Sequence, residues 1–297
     1  MNLKRINDTL DSVILADIEN HKTISVSELE QDLINLGLFD PTSNINSFAG
    51  NPFQYHFQTK NLLKCKRENG KTLYELTDDE FKKLIEQTKE KNRGGRSAAG
   101  NVFECFRINT GSIVLFKATT AKYLCKKYNA TSVLDPTAGW GGRMLGAWSL
   151  GIDYTGIDTN TEMCSAYSDM IDFLSKRGLV ESKMDMIWGS CLDVDFSKIK
   201  YDFVLTSPPY INMEVYEHMK AWSSDETFYK TFFNPLFTKC ISNIQPGGCV
   251  GFNISPKMYK DAVKFGIPLC DEEEDLKQQL GQQKNKKKQD KIYIWKT

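Results

Sequence analysis

The chain has 297 residues, 40% of them hydrophobic and 26% charged, and its formal net charge at pH 7 is zero. These values are typical of ordinary globular domains, and the length allows one or two domains with sizeable cores. No run of about eighteen apolar residues occurs, so no membrane span and no membrane partner are expected. Because the net charge is zero, a nucleic-acid-binding surface would need a local concentration of cations.

The N-terminus and the cysteines indicate the compartment. Residues 1–5 lead into a charged amphipathic stretch, which is not a secretion signal. The eight cysteines are scattered, none forms a C-x-x-C pair, and no His–Cys cluster has zinc spacing. We therefore expect reduced, mostly buried thiols, no bound metal and a cytoplasmic location, with the nucleoid, or the host cytoplasm for a viral protein, as the alternative.

The first ninety residues begin with a series of predicted helices. Apolar residues have helical spacing over 10–18, and a short helix is predicted over 52–60. Residues 27–30 (Ser-Glu-Leu-Glu) have the form of a capping box for a helix that Gly37 would end. A second capping box at residues 77–80 (Thr-Asp-Asp-Glu) predicts a helix to about Glu90.

A hairpin is predicted between these helices. Asn69 and Gly70 separate two β-like runs at 62–66 and 72–76, which is a strong hairpin signal. The order helix, helix, helix, hairpin, helix resembles a winged helix-turn-helix, so residues 1–92 are predicted to be a DNA-recognition domain. The predicted phosphate-contacting residues are Lys64, Lys66, Arg67 and Lys71. The alternative is a solvated hairpin face on a protein-interaction domain.

Residues 93–100 (Arg-Gly-Gly-Arg-Ser-Ala-Ala-Gly) predict a linker by composition. The remaining residues, 101–297, are predicted to form a catalytic domain. If the first region is a separate domain, its removal should weaken DNA binding and spare the binding of a small cofactor.

A glycine-rich turn follows the first strand of this second region. Residues 132–135 read as a short apolar strand, residues 136–142 as the turn, and residues 144–148 as the start of a helix. The spacing is neither that of the dinucleotide fingerprint nor that of the phosphate-binding P-loop. A second strand ends at Asp158, where a carboxylate can bind both hydroxyls of a ribose. The alternative is that Asp135 or Asp158 only caps the helix that follows.

A second distinctive turn follows the strand predicted at 202–206. Ser207-Pro208-Pro209-Tyr210 ends this apolar run abruptly, because Pro lacks a backbone donor and has a restricted φ. The result is a stiff corner that carries a hydroxyl, free carbonyls and an aromatic ring, at the edge of an α/β sheet where ligands bind. Alone, it could be only a Pro-stiffened loop. The order of glycine turn, acidic strand end and Ser-Pro-Pro-Tyr favours a functional site.

Together these motifs resemble the S-adenosylmethionine-dependent DNA N4-cytosine/N6-adenine (amino-) methyltransferases. Residues 207–210 match the Ser/Asp/Asn-Pro-Pro-aromatic motif, and residues 135–141 match Asp-Pro-x-x-Gly-x-Gly. Residues 116–124 are similar to the start of the helix that clasps the cofactor, and 184–191 to the strand and turn that flank its adenine. The resemblance covers about 101–297, two thirds of the chain.

The resemblance implies a fold class and a set of site residues. The fold is α/β and Rossmann-like, with a mostly parallel seven-stranded sheet and helices on both faces, preceded here by the small winged-helix-like α+β domain. The cofactor is S-adenosylmethionine. The cofactor-binding residues would be Lys117, Thr119, Asp135, Pro136, Thr137, Gly139, Gly141, Asp158, Ser190 and Cys191.

The resemblance also implies a reaction, carried by Ser207, Pro208, Pro209 and Tyr210. The Ser207 side chain and the Pro208 carbonyl would accept hydrogen bonds from an exocyclic base amine, and Tyr210 would stack on the flipped base. Ser in the first motif position favours cytosine N4. The alternatives are adenine N6, an RNA amino-methyltransferase, or a catalytically silent DNA-binding subunit. The expected partners are DNA and either a second copy or a methyltransferase subunit.

The last third of the chain contains further predicted elements. Residues 211–222 predict an active-site loop, 228–244 a helix, 249–254 a strand and 291–295 a last strand. The acidic run 271–275 and the basic run 284–288 predict a solvated, mobile loop, of which the basic part could contact DNA phosphates.

Overall fold

A computed structural model describes residues 10–42, 47–66, 70–91, 96–110, 115–177, 181–210, 222–275 and 290–297. Its strands are β1 (Ser132–Asp135), β2 (Asp153–Asp158), β3 (Met184–Trp188), β4 (Phe203–Thr206), β5 (Cys249–Ile254), β6 (Glu272–Asp275) and β7 (Lys291–Lys296). Its α-helices are α1 (Leu15–Asn20), α2 (Val26–Leu38), α3 (Asn51–Leu62), α4 (Asp78–Glu90), α5 (Ala98–Thr110), α6 (Ala118–Lys127), α7 (Gly142–Trp148), α8 (Cys164–Arg177), α9 (Asp225–Phe228), α10 (Asn234–Asn243) and α11 (Pro256–Lys264).

The seven strands form one sheet in the order β3-β2-β1-β4-β5-β7-β6. Strands β1 to β5 are paired in parallel, and β7 is antiparallel to both of its neighbours. Only β7 therefore runs against the other strands. The predicted fold class, a mostly parallel Rossmann-like α/β sheet, is confirmed.

Each face of the sheet is covered by a separate apolar layer. Successive side chains of a strand point to opposite faces. Accordingly, Phe203 and Leu205 of β4 pack into a cluster with the N-terminal helices and α5 to α8. Val204 of β4 and Phe252 of β5 pack into a second cluster with α10 and α11. Both faces are buried, which explains why β4 reads as a continuous apolar run.

The capping boxes determine where two N-terminal helices begin. The Thr77 hydroxyl accepts from the Glu80 amide at 3.3 Å, and the Glu80 carboxylate accepts from the Thr77 amide at 2.8 Å, as predicted. The earlier box was placed two residues too late, because Ser25, not Ser27, caps α2 together with Glu28. Helix α2 also continues through Gly37 to Leu38.

The predicted hairpin strands at 62–66 and 72–76 are not formed by the described residues. The first run completes α3 and contributes a single bridge residue, Lys66, and Leu73–Glu75 is a 3₁₀ turn. The Glu75 carboxylate accepts from the Thr72 amide at 2.8 Å, so a local side-chain hydrogen bond replaces part of a strand ladder. One bond from the Leu73 amide to the Leu63 carbonyl at 3.0 Å joins the two runs. The described residues therefore contain no two-stranded wing.

The N-terminal helices pack directly on the sheet layer. Leu33 and Phe53 belong to the same apolar cluster as β1 and α6 to α8. The buried Lys122 ammonium of α6 donates to the Leu36 and Gly37 carbonyls, each at 2.7 Å. Helix α5 begins at Ala98, inside the predicted linker. A domain boundary near residue 92 stays a prediction, but the apolar core is continuous across it.

The C-terminal part differs from its prediction in two places. The helical segment predicted at 228–244 begins at Asp225 and contains one π turn, Tyr229–Phe233. The acidic run, predicted as a mobile loop, forms the edge strand β6. Its acids pair with basic residues of neighbouring elements; Glu273, for example, accepts from Lys291 at 2.7 Å. This pairing compensates for the low strand propensity of the acids.

Some predicted features lie outside the described residues. These are the basic run 284–288, most of the loop 211–222, the turn residue Asn69, Arg67 and the linker residues 93–95. Within the described ranges, no helix is long and apolar enough to cross a bilayer. The same ranges contain no group of three or more His, Cys, Asp or Glu residues that could hold a metal ion. Six of the eight cysteines are buried, as expected.

Candidate cofactor and methyl-transfer site

The parallel register brings the predicted motifs to one edge of the sheet, which we call the carboxyl edge. Asp158 at the end of β2 lies beside Trp188 at the end of β3, and Asp135 ends β1. Thr206 ends β4, directly before Ser207. The glycine turn (residues 136–141) and the Ser-Pro-Pro-Tyr corner (residues 207–210) therefore both leave the sheet at this edge.

Asp135 is fully buried and supports the glycine turn from below. One carboxylate oxygen accepts from Arg143 Nε at 2.6 Å and from the Tyr154 hydroxyl at 2.8 Å. The other oxygen accepts from the Thr206 hydroxyl at 2.8 Å. The Arg143 guanidinium also donates to the Thr137 carbonyl at 2.6 Å. In this arrangement Asp135 connects the turn, the start of α7 and the end of β4.

Thr137 links the glycine turn to the Ser-Pro-Pro-Tyr corner. Its hydroxyl lies 2.6 Å from that of Thr206 and donates to the Ser207 carbonyl at 2.9 Å. The two predicted motifs are thus hydrogen-bonded to each other. Sequence reasoning assigned no role to Thr206 or Tyr154. For Thr206, its position as the last strand residue before Ser207 was the available signal.

Stereochemistry requires glycine in the turn. Gly139 and Gly141 have φ values of 59° and 87°, which favour residues without a Cβ. A Cβ on Gly141 would lie 2.6 Å from the Met170 methyl group, and one on Gly142 would lie 1.9 Å from the Phe116 carbonyl oxygen. At Gly141, and at Gly142 where α7 begins, the backbone therefore approaches its neighbours more closely than a residue with a Cβ allows.

Asp158 is oriented by two backbone donors. Its Oδ2 accepts from the Gly139 amide and its Oδ1 from the Asn160 amide, each at 2.9 Å. Each oxygen retains a lone pair beyond these contacts with described residues. Burial raises the pKa of the Asp158 carboxyl, and the two backbone hydrogen bonds oppose the rise. The carboxylate is thus placed to accept two further hydrogen bonds from a diol.

The glycine backbone near Asp158 is open. A Cβ on Gly139 would meet no atom closer than 3.6 Å, and one on Gly189 would meet nothing within 4 Å. The Gly189 amide donates to the Asp158 carbonyl at 2.9 Å, which places the turn after β3 beside the acid. Open glycine backbone next to an acceptor carboxylate is suited to a ribose and its base.

The two predicted residues after β3 differ in exposure. The Ser190 hydroxyl is half-buried and accepts from the Leu192 amide at 3.2 Å. The Cys191 side chain is buried, and burial raises the pKa of its thiol to about 12. Cys191 is therefore a neutral thiol at neutral pH and packs against the core, so its backbone is the part that could meet a ligand.

The predicted clasp residues hold the N-terminal region against the glycine turn. The buried Thr119 hydroxyl donates to the Ser47 carbonyl at 3.0 Å. The Lys117 ammonium lies 4.2 Å from the centroid of the Phe48 ring, and burial lowers its pKa. Because α6 packs on α7, these contacts connect residues 47–48 to the helix that begins at Gly142.

The Ser-Pro-Pro-Tyr corner is stabilised by two elements from the far end of the chain. The Ser207 hydroxyl lies 3.4 Å from both the Asn253 carbonyl oxygen and Asn253 Nδ2. The Tyr210 hydroxyl donates to Asp290 at 2.6 Å. Burial raises the pKa of Asp290, and the bond from Tyr210 opposes this. These two residues were not predicted, because β5 and β7 meet the corner only in the folded sheet.

The predicted basic residues are ion-paired in the described part of the chain. The pairs are Lys64–Glu162, Lys66–Glu75 and Lys71–Glu80, with nitrogen–oxygen distances of 2.8, 2.9 and 2.8 Å. The hydrogen bond from Lys71 is the largest of several that lower the pKa of Glu80 to about 2. Arg67 lies outside the described residues. Local carboxylates thus balance the cations predicted to contact phosphates.

No family model matches the chain, and no curated protein matches it. An RNA methyltransferase from Salinibacter ruber in complex with S-adenosyl-L-homocysteine is 14% identical over 62% of this chain and 93% of its own, with a TM-score of 0.37. Methanocaldococcus jannaschii Trm5 in complex with adenosine is 17% identical over 59% of this chain and 46% of its own, with a TM-score of 0.38. A hypothetical protein from Thermus thermophilus is 15% identical over 59% and 81%, with a TM-score of 0.39. Structural similarity this low implies no activity, so a function for this chain has to be argued from its own residues.

Proposed function

We propose that this protein transfers a methyl group from S-adenosylmethionine to an exocyclic amino group of a flipped DNA base, with N4 of cytosine as the favoured acceptor. One observation carries the proposal. The glycine turn, Asp158 and the Ser-Pro-Pro-Tyr corner lie at one edge of the sheet, and Thr137 joins the turn to the corner at 2.9 Å. A cofactor held by the first two would therefore lie next to the acceptor groups of the third.

The cofactor-binding groups are provided by the turns after β1, β2 and β3. Asp158 would accept hydrogen bonds from the ribose hydroxyls, and the backbone at Gly139 and Gly189 would allow close approach. S-adenosylmethionine, when bound, supplies a methyl group that its sulfonium has made electrophilic. Asp135 would support the turn without contacting the cofactor, because described side chains bond to both of its oxygens.

The corner would activate and orient the amine. An exocyclic base amine is a poor nucleophile, because its lone pair is delocalised into the ring. Hydrogen bonds from its two N–H groups to the Ser207 hydroxyl and the Pro208 carbonyl would favour a pyramidal nitrogen with an available lone pair. Tyr210, oriented by Asp290 at 2.6 Å, would stack on the base. Catalysis then consists of positioning and of stabilising developing charge.

No covalent intermediate on cysteine is part of this proposal. Cys191 is the one cysteine among the predicted cofactor-binding residues, and burial raises the pKa of its thiol to about 12. A neutral thiol is a weak nucleophile. Transfer to an exocyclic nitrogen needs no such group, because the nitrogen itself attacks.

The choice of base and nucleic acid depends on the residues at the corner and on the first region. Ser207 as the first motif residue favours cytosine N4 over adenine N6. The complete set of turn, acid and corner disfavours a silent DNA-binding subunit. Recognition of DNA by residues 1–92 is part of the proposal, and the lysines that would contact phosphates must then leave their glutamate partners.

The test is incubation of the purified chain with labelled S-adenosylmethionine and unmethylated genomic DNA, followed by mass spectrometry of the nucleosides. We expect N4-methyldeoxycytidine from the wild type and none from Ser207→Ala. The Ser207→Ala variant should bind S-adenosylhomocysteine with wild-type affinity, which serves as its folding control. Detection of N6-methyldeoxyadenosine would show that the acceptor is adenine N6 instead of cytosine N4. Label found only in RNA in a parallel incubation, or in no nucleic acid, would overturn it.

A further inference from the structure

Asn253 of β5 carries a buried hydrogen-bond acceptor that no described residue satisfies. The residue is 8% exposed, and its Oδ1 atom has no hydrogen-bond partner among the described residues. Buried polar side-chain atoms are nearly always paired in folded proteins, because an unpaired one costs free energy. An orphan acceptor of this kind beside a reactive corner indicates that a donor arrives with a ligand.

The sheet places this acceptor beside Ser207. Thr206 of β4 is paired with Phe252 of β5, so the next residues on the two strands, Ser207 and Asn253, lie side by side. Side chains at such paired positions of neighbouring strands point to the same face of the sheet. Asn253 Nδ2 lies 3.4 Å from the Ser207 hydroxyl oxygen, which is longer than an ordinary hydrogen bond. The described contact between the carboxamide and Ser207 is therefore a weak one.

We propose that Asn253 is a further catalytic residue, whose Oδ1 accepts a hydrogen bond from the amino group that receives the methyl group. The inference rests on the proposed function. A side-chain carbonyl oxygen can only accept, so its partner must carry an N–H or O–H. The exocyclic amines of cytosine and adenine carry two N–H groups. The corresponding carbonyls of uracil and hypoxanthine carry none.

The acceptors at the corner can then be assigned. One N–H of the amine faces the Pro208 carbonyl. The other N–H lies between the Ser207 hydroxyl oxygen and Asn253 Oδ1 as a three-centre bond. The serine hydroxyl is a short group, and the amide oxygen from the neighbouring strand is a second acceptor at the same place.

Electrons and protons balance in the transfer step. The amine lone pair forms the new nitrogen–carbon bond, and the carbon–sulfur bond breaks with its electron pair remaining on sulfur. The nitrogen becomes positive as the bond forms, so an adjacent carbonyl dipole stabilises it more than the neutral amine. The extra proton on nitrogen then passes to water. Asn253 gains and loses no proton in this sequence.

The test compares bases with and without the amine. In the presence of S-adenosylhomocysteine, affinities are measured for the single-stranded decamers (dC)10 and (dU)10, and for (dA)10 and (dI)10. We expect the wild type to prefer the amine-bearing strand of its target base by about tenfold, and Asn253→Leu to reduce that preference to about twofold or less. In single-turnover assays with genomic DNA, Asn253→Leu should slow label transfer by about tenfold or more, with unchanged affinity for S-adenosylhomocysteine.

Two further variants and one control complete the test. Asn253→Asp keeps an acceptor and should retain the amine preference. Asn253→Ala removes the acceptor with a smaller change in volume, and it replaces the leucine variant if that chain does not fold. Asn234 provides the matched control, because its Oδ1 is also buried and unpaired among the described residues while its Nδ2 bonds to the Phe265 carbonyl, away from the corner. Asn234→Leu should leave both the preference and the transfer rate unchanged.

The outcomes separate the two proposals. A wild type that shows no preference for an amine-bearing strand overturns the role of Asn253. So does an Asn253→Leu or Asn253→Ala chain that keeps the wild-type preference and transfer rate. If the wild type transfers label to no nucleic acid, the proposed function itself fails, whatever the behaviour of the variants.

Discussion

The carboxyl edge and the N-terminal region differ in what holds their polar groups. At the carboxyl edge, Asp135 is fully buried and its three partners lie on α7, β2 and β4. In the N-terminal region, Lys66 and Lys71 are partly exposed and their glutamate partners lie nine residues further along the chain. Asp135 is thus held by contacts between distant segments, whereas Lys66 and Lys71 are paired within one short segment. Lys64 differs from them, because its partner Glu162 is distant in sequence.

The two regions nevertheless share one apolar core, and deletion of residues 1–92 is the strongest test of this. The deletion would expose the surface covered by Leu33 and Phe53, and it would leave the buried Lys122 ammonium without its two carbonyl acceptors. We expect loss of cooperative thermal unfolding together with loss of S-adenosylhomocysteine binding in calorimetry. A truncated chain that unfolds cooperatively and binds the ligand normally would show an independent second domain.

The buried ion pair beneath the glycine turn should have the next largest effect. Arg143→Met leaves the Asp135 carboxylate buried without its cation, and breaking a buried pair in this way costs about 3–5 kcal/mol of unfolding free energy. Denaturant titration measures the change. The exposed pair supplies the control, since Lys66→Met should leave the unfolding free energy almost unaltered. Equal effects of the two substitutions would contradict the contrast between the regions.

Substitution of Tyr210 tests the role of the Ser-Pro-Pro-Tyr corner in methyl transfer. Tyr210→Ala should lower methyl-transfer turnover by the value of one base-stacking contact, about 1–3 kcal/mol in activation free energy, with little change in S-adenosylhomocysteine affinity. Tyr210→Phe keeps the ring and removes the bond from the hydroxyl to Asp290, so its effect should be smaller. Full activity of the alanine variant would remove the stacking role.

Asp158 should make cofactor affinity depend on pH. Asp158→Ala should weaken S-adenosylhomocysteine binding severalfold or more, because ribose hydroxyls lose their acceptor. In the wild type, affinity should fall as the pH is lowered through the pKa of Asp158, which burial raises above its ordinary value. Asp158→Asn should abolish this dependence in calorimetry at a series of pH values. If the affinity of the wild type does not change with pH down to the point of acid unfolding, Asp158 lies outside the cofactor site.

The Asp158 carboxyl affects folding stability with the opposite dependence on pH. Because its pKa in the folded protein is raised, its contribution to the unfolding free energy is present in full below the pKa of the unfolded chain. That contribution is lost as the pH rises through the folded pKa. Asp158→Asn should therefore remove this pH dependence of the unfolding free energy, while it weakens cofactor binding.

The smallest expected effect concerns the lysines of the first region. Glu75→Gln and Glu80→Gln remove the carboxylates that bind Lys66 and Lys71. If these lysines contact DNA phosphates, the variants should bind all DNA sequences somewhat more tightly, and the salt dependence should steepen by about one unit per released lysine. Glu226→Gln, which removes the partner of Lys230 on the π turn, is the control. Unchanged affinity and salt dependence would place these lysines away from DNA.

Several elements were predicted from sequence because their causes are local. Strand β5 was predicted at its observed bounds, and the Thr77–Glu80 capping box was predicted with its partners. The predicted hairpin was wrong because the Glu75 carboxylate accepts from the Thr72 amide and residues 73–75 form a 3₁₀ turn instead of a strand. The prediction of a mobile loop at the acidic run was wrong. The run pairs with β7, whose lysines neutralise the acids, and the acidic pattern alone does not reveal this partner.

The sequence by itself determined where the backbone must turn and which chemical groups follow each strand. Glycine at positions 139 and 141 permits the positive φ of the turn, and the prolines at 208 and 209 end a strand; both effects follow from the residue type. Only the tertiary structure decided which groups meet. Asp135 reaches Thr206 across 71 residues, Ser207 reaches Asn253 across 46, and Tyr210 reaches Asp290 across 80. Such contacts depend on strand order and register, which arise from packing of the whole chain rather than from any short segment.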